Sequence, residues 1–460
     1  MTGRSWLRAR LRSASELRAL ARDSYYVGLW QGSTAVAELV QIALITHALG
    51  LAEYGRLALV IAFATLVSQL FDVRVGTSAT IFAARELTRS PERAAGIMQF
   101  NLLVDALTGG LGFAAVLAAA ALLGAGVVGG AGFGLVALYG LVLLASTIDE
   151  SSMTVLRLLD RFKLIALCTV VIEGLRIALV AGALAVFGTL TSVVVALLAA
   201  RLVGGGVYAT AAATVFRRAQ GRPLTRLALA GVREERRAML AMTVHSSVVS
   251  YARITQVQLP TLLLGGLAGT TQVGIYKVGM AAAASVGKLA DTAYVSFLPR
   301  FTRLWSGGRR AEARRLIRQA SLIAVPAMTI AVLALVVLRD PILRLLGGGP
   351  AATAAGGVLI AGAIGQAING AVFWNVGVLF ASGHAAAMSK ISIVVAVAQL
   401  AMLAPLILAF EATGAALSVC LSSALANAIT TVLARRALRS AAPAAGATTT
   451  VKRRTAEPLP

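Results

Sequence analysis

The sequence predicts an all-α polytopic membrane protein: about twelve transmembrane helices in two parallel six-helix repeats around a central cavity, with both termini cytoplasmic. Three observations carry this reading. Apolar runs long enough to cross a bilayer recur along the chain, basic residues crowd onto alternate connections, and a motif near the start returns in the second half at a fixed offset.

The 460 residues are 58% hydrophobic and 13% charged, with a mean hydropathy of +0.83. A chain whose whole surface met water would carry far more charge. Apolar runs bounded by Arg/Lys clusters or Gly-rich turns give spans at 25–48, 55–80, 96–123, 132–156, 164–187, 191–216, 238–265, 272–298, 317–338, 351–381, 389–410 and 414–437. They group into an N-terminal six-helix bundle, 25–216, and a C-terminal one, 238–437, joined by a basic cytoplasmic linker, 217–237. Residues 438–460, rich in Ala, Thr and Pro, read as a disordered cytoplasmic tail. Residues 1–24 carry six arginines and no apolar core, so they do not form a cleavable signal peptide. There Leu7, Leu11, Ala14, Leu17 and Ala21 recur at helical spacing, and Ser13 with Glu16 fits a capping box. The segment is either an amphipathic helix on the membrane surface or a disordered cytoplasmic stretch.

A net charge of +23 would suggest nucleic acid in a soluble protein. Here 33 of the 42 Lys and Arg residues fall on connections that alternate along the chain, and only Arg56, Arg339 and Arg344 fall on the others. That asymmetry is the positive-inside signature: it sets an even number of spans with both termini inside, and removes the case for nucleic acid. Cys168 and Cys420 lie inside apolar runs without Cys or His companions, which supports neither a disulfide framework nor a zinc site.

The repeat pairs "EYGRLALVIAFATLVSQLFD" (Glu53 to Asp72) with "QVGIYKVGMAAAASVGKLAD" (Gln272 to Asp291) at an offset of 219 residues. Gly50 aligns with Gly269, Gly55 with Gly274, Gln69 with Lys288 and Asp72 with Asp291. Gly55 is read as the start of the second span after a short external turn. Asp72 and Asp291 then sit toward the cytoplasmic ends of their helices, as gate or helix-pairing candidates. Six spans separate the copies, so the halves run parallel, related by an axis along the membrane normal, a transporter layout.

The stretches "HALGLAEYGRLAL", "VGIYKVG" and "FLPRFTRLWSGG" with its basic continuation resemble the polysaccharide or O-antigen flippases of the multidrug/oligosaccharidyl-lipid/polysaccharide exporter superfamily, from Asp23 to about Arg439. The family often has Asp-Arg in its seventh span, where this chain reads "ITQVQLP" after Arg253. The resemblance implies a multi-pass protein of a bacterial cytoplasmic membrane, not an enzyme. It implies flipping of a polyprenyl-diphosphate-linked oligosaccharide to the external leaflet for cell-surface polysaccharide assembly. Its partners would be that substrate, membrane lipids and other polysaccharide-assembly proteins. No cofactor is implied, and coupling to a proton, sodium ion or membrane potential stays open.

Charged groups at mid-membrane cost about 2.5–3.5 kcal/mol on insertion scales, so each needs a partner or a wet cavity. In the first span Gln31, Thr34, Glu38 and Gln41 share one helical face, with Glu38 about 20 Å along the helix from Tyr25. Either they form a cavity wall with an ion-binding carboxylate, or they make polar helix contacts. The seventh span repeats the pattern with Ser246, Ser250, Arg253 and Gln256. Arg253 is the leading candidate ligand for a lipid diphosphate, because a guanidinium matches phosphate oxygens; alternatively it pairs with Glu38. Lys277 and Lys288 complete the cavity candidates, with snorkelling open for Lys277 and pairing with Asp291 open for Lys288. Glu173 and Arg176 fit an intrahelical pair, and His47 and His384 read as solvated groups near the interfaces. A drug or cation antiporter of the same superfamily is the alternative, although it calls for acidic midplane residues. A membrane-embedded polymerase or glycosyltransferase is a further one, but the external connections are short and the sequence holds no HExxH, GxSxG or Walker A pattern.

Overall fold

The computed structural model of the chain describes residues 3–71, 83, 90–123, 130–220, 232–347, 349–382 and 385–440. Among these residues there is no β-strand. Among them eight helices are long and apolar enough to cross a membrane, two of these are broken once, and a further run, Val232–Ser306, is also broken once. Gly50 (φ 84°, ψ 169°) divides the first run into α1 (residues 3–49) and α2 (51–71). Gly269 (φ 84°, ψ 174°) divides another into α7 (232–268) and α8 (270–306). Glu411 (φ 49°, ψ −125°) divides the last into α13 (385–410) and α14 (412–440). The single rods are α3 (Pro91–Leu123), α4 (Phe133–Leu158), α5 (Phe162–Phe187), α6 (Leu190–Gln220) and α9 (Arg310–Val337). A short helix, α10 (Arg339–Gly347), follows α9. The tenth span is built from a 3-10 turn (Pro350–Ala355), α11 (Gly356–Ala371) and α12 (Trp374–Ala381). The rods therefore supply twelve spans, one for every apolar run in the sequence.

The repeat is visible in the backbone. Gly50 and Gly269 adopt nearly the same positive-φ conformation, open to glycine and strained for any other residue, and each reverses the chain between two spans. The reversal brings the Tyr54 hydroxyl of α2 within electrostatic reach of Glu38 on α1. This corrects the role expected for Gly55. The turn is made at Gly50, α2 begins one residue later, and Gly55 lies inside the helix, where it serves as a contact. A Cβ there would collide with the Thr270 carbonyl oxygen, and a Cβ on Gly274 would collide with that of Leu51. Thr270 is Leu51 shifted by 219, so the two close approaches are one contact repeated about the pseudo-two-fold axis.

The end bearing these turns and the end bearing the arginine clusters are packed differently. Near the turns one apolar core spans both halves, with Ile45, Leu57 and Val193 from the first meeting Leu264, Val278, Leu359 and Ile407 from the second. At the basic end each half has its own core: Ile97, Leu156, Ile165 and Phe216 in the first, Phe301, Trp305, Ile317 and Leu379 in the second. A hydrogen bond from Thr46 Oγ1 to the Leu346 carbonyl (2.5 Å) adds a polar tie between α1 and α10. The halves are welded at the turn end and part toward the basic end.

Candidate functional site

The polar face of α1 meets three other helices of its own half. Glu38 is exposed, while Gln31, Thr34 and Gln41 are half-buried. Thr34 Oγ1 donates to the Trp30 carbonyl of its own helix at 3.2 Å, and on α5 Glu173 pairs with Arg176 one turn on at 2.7 Å, as the i, i+3 spacing predicts. Both of those side chains are only 13–14% exposed. Arg201 of α6 donates from Nη1 to Asp149 Oδ2 of α4 at 3.1 Å. Gly205 makes room for that carboxylate, since a Cβ there would lie 3.1 Å from Asp149 Oδ1. Glu38, Tyr139 and Arg201 all lie within electrostatic reach of the Glu173–Arg176 pair. Four helices thus hold Glu38, Asp149 and Glu173 against two guanidiniums. The excess carboxylate is the exposed one, Glu38. Among the described residues no ion pair joins it to Arg253, and the Gln41 Oε1 atom one turn away is buried without a hydrogen-bond partner.

The second half has polar contacts of another kind. Gln256 of α7 is tied to α13: its Nε2 donates to the Ser392 carbonyl (3.1 Å), and its own carbonyl accepts from Gln399 Nε2 (2.9 Å). Asn427 donates to Asn369 Oδ1 (2.6 Å), and Asn375 donates to Thr431 (2.7 Å). Amides and hydroxyls fill the places that charges occupy in the first half. Against that background Arg253 is exposed on α7, and the 219-residue offset aligns it with Thr34. Lys277 is half-buried with its ammonium 6.0 Å from the Tyr276 ring centre; Lys288 and Asp291 are exposed farther along α8. Asp72 and His384 lie outside the described residues. His47 is exposed, with Nδ1 2.8 Å from the Ala43 carbonyl of its own helix. Among the described residues no cluster of three or more His, Cys, Asp or Glu side chains forms a metal site.

Where the halves meet, a cavity of about 810 Å³ lies between α1, α5, α8, α9 and α10, lined by Leu39, Ala43, Leu184, Ala282, Leu335 and Leu346. Its lining is almost wholly apolar, and on α1 it is formed by Leu39, Val40, Ala43 and Leu44, a face of the helix turned away from the Gln31, Thr34, Glu38 and Gln41 stripe. Sequence spacing identified the α1 face and the Glu173–Arg176 pair. It missed the Asp149–Arg201 bridge, whose partners are 52 residues apart, and it missed Tyr139, which carries no signal in its neighbourhood.

Two six-helix halves joined about a pseudo-two-fold axis define a membrane protein of the two-repeat, twelve-helix class. The family described as "Polysaccharide biosynthesis protein" matches residues 20–305, well over half of the chain, and the protein belongs to that family. No curated protein matches the chain. Among solved structures it is similar to the inward-facing conformation of a multidrug resistance MATE family transporter of the MOP superfamily, at 13% identity and a TM-score of 0.69, over 89% of this chain and 95% of that one. An outward-facing conformation, described in the same words, gives 15% and 0.61 over 92% and 96%. A mutant of the Vibrio cholerae MATE transporter VcmN gives 17% and 0.62 over 93% and 98%. At these identities the likeness speaks for the fold.

Proposed function

We propose that the protein flips a polyprenyl-diphosphate-linked oligosaccharide from the cytoplasmic to the external leaflet of a bacterial cytoplasmic membrane by alternating access, serving cell-surface polysaccharide assembly. The observation that carries the reading is that α1 carries both an apolar face, lining the cavity where the halves meet, and a separate polar face bearing Glu38. An amphiphile needs both environments at once, with lipid in the apolar chamber and a hydrated headgroup along Gln31, Thr34, Glu38 and Gln41. Arg253, Lys277 and Lys288 supply cations for a diphosphate, and Arg253 offers the planar fork that phosphate oxygens accept. Family membership supports a polysaccharide substrate over other lipids. The positive-inside rule puts the arginine-rich end in the cytoplasm, with both termini there, so the parted halves face the side on which lipid-linked sugars are made. Asp291, exposed on α8 well before that helix ends at Ser306, and Asp72, its counterpart in the 219-residue repeat, are proposed gate residues.

Purified protein in vesicles with labelled lipid-linked oligosaccharide tests this reading through appearance of the label at the opposite leaflet. No protein-dependent movement under any imposed proton, sodium or electrical gradient would sink it. Arg253→Ala is expected to slow flipping roughly 10- to 100-fold, the worth of one or two charge-assisted hydrogen bonds. Arg253→Lys should recover only part of the rate, because an ammonium keeps the charge and loses the fork.

Drug or cation antiport by the same fold is the second reading, and the carboxylate excess around Glu38 is the observation in its favour. It requires that a cationic substrate, and not a lipid-linked sugar, compete for the cavity.

A further inference from the structure

The turn between α8 and α9 builds a second polar site, away from the junction of the halves. We infer that the cleft there is a binding site for the phosphate group of an anionic lipid. Arg300 and Arg303 on the last turns of α8 face Arg315 and Gln319 on the first turns of α9, with Arg309 and Glu312 at the apex, around a cavity of about 540 Å³. Arginines that serve only as topology signals have no need to converge on a concave surface. Four arginines against one carboxylate leave the cleft three positive charges in excess. The one carboxylate is already taken, since Arg309 donates to Glu312 through both Nε and Nη2 at 2.6 Å each.

The walls are fixed before any ligand arrives. Gly308 adopts φ 70°, and the Arg309 amide bonds back to the Leu304 carbonyl at 3.0 Å, which holds α9 against α8 through a tight turn. Phe297, Phe301 and Trp305 stack in a ladder along α8, with ring centres 5.5 and 5.7 Å apart, and the Arg310 guanidinium lies 3.5 Å from the Trp305 ring centre. Arg314 spends its charge elsewhere, donating to the Leu438 carbonyl at 2.6 Å and tying α9 to α14. A buried Trp beside arginines at the end of a membrane span marks headgroup depth, where lipid phosphates lie. Guanidiniums from two walls then offer a phosphate several charge-assisted hydrogen bonds at once. This site stands apart from the transport reading, since a resident lipid would hold the α8–α9 hairpin at the interface whatever crosses the membrane.

Native mass spectrometry of the full-length protein, taken from phosphatidylcholine nanodiscs with and without phosphatidylglycerol, tests the inference. Wild type should retain phosphatidylglycerol over phosphatidylcholine, and Arg300→Gln with Arg315→Gln should weaken that retention about tenfold or more. Arg318→Gln with Arg436→Gln removes the same charge outside the cleft and should leave retention unchanged. If the glutamine pair fails to fold, Arg300→Lys with Arg315→Lys keeps the charge and should still lower retention severalfold. Millimolar inorganic pyrophosphate separates the sources. Failure to displace the lipid identifies the headgroup as the ligand, whereas displacement that depends on Arg300 and Arg315 keeps the phosphate chemistry and assigns it to a soluble ligand. Equal retention by wild type and both cleft variants, or equal loss in the control pair, overturns the inference.

Discussion

Arg176 and Arg201 each lie within ion-pair distance of a carboxylate and should respond differently to loss. Arg176 and its partner Glu173 are both nearly enclosed, at 13% and 14% exposure, whereas Arg201 is 42% exposed beside a buried Asp149. Removing one member of a buried pair leaves an uncompensated charge, at a cost of about 3–5 kcal/mol. Arg176→Ala is therefore expected to lower the thermal unfolding temperature strongly, and Glu173→Gln with Arg176→Gln to restore much of it. If the single and double variants unfold alike, the pair is not the buried unit described. Glu38→Gln should behave in the opposite way. The side chain is exposed and takes part in no ion pair among the described residues, so the isosteric amide should leave the unfolding temperature within a degree or two. If an ion gradient drives flipping through Glu38, that flipping should nevertheless fall, because an amide carries no charge with which to hold a proton or cation. The Glu173–Arg176 pair was legible in the sequence because partners three apart share a helical face. The Asp149–Arg201 bridge was not, because no local rule joins residues 52 positions apart on different helices.

At the scale of elements, glycine does two jobs that look identical in a sequence. At Gly50 it supplies a backbone conformation, φ 84°, with nothing within 4 Å of the Cβ direction. At Gly55 it supplies clearance, against the carbonyl of Thr270 in the other half. The repeat, read from the 219-residue offset, showed that both positions mattered without showing which did which. Only the position of a neighbouring helix separates them. Gly50→Ala should cost about 1–3 kcal/mol through strain at a positive φ, while Gly28→Ala, on an open stretch of α1, should be neutral or slightly stabilising. Chemical denaturation in detergent should rank the two in that order. The broken tenth span and α10 escaped the sequence reading for a related reason. Arg339, Asp340 and Arg344 mark α10 as a connection and give no sign of a helix, and from Leu345 on the residues "LLGGGPAATAAGG" are apolar or small, so composition leaves the breaks of the tenth span unmarked.

Across the whole molecule, the shared core at the turn end and the separate cores at the basic end define one member of a pair of states. The twelve apolar runs and their charged connections made the two halves legible, but hydropathy carries no information about which end is closed. To open a path between the halves at the turn end, they must separate where Gly55 meets Thr270 and Gly274 meets Leu51, and the buried set around Leu57, Leu264 and Val278 must divide. That surface is apolar, so separation has a hydrophobic cost that the opposite end must offset by closing. Fixing the seal should then arrest the cycle in a defined state. Ala52 and Thr271 are exposed, equivalent under the 219-residue offset, and flank the glycine contact on opposite halves. With Cys168 and Cys420 replaced by serine, Ala52→Cys and Thr271→Cys joined by a short bifunctional thiol reagent should abolish transport, while a thiol at the basic end of the cavity remains open to labelling. Reduction of a cleavable linker should restore transport. Transport that continues at full rate with the linker in place would show that the halves need not part at this end, and would remove the rocking motion on which alternating access depends.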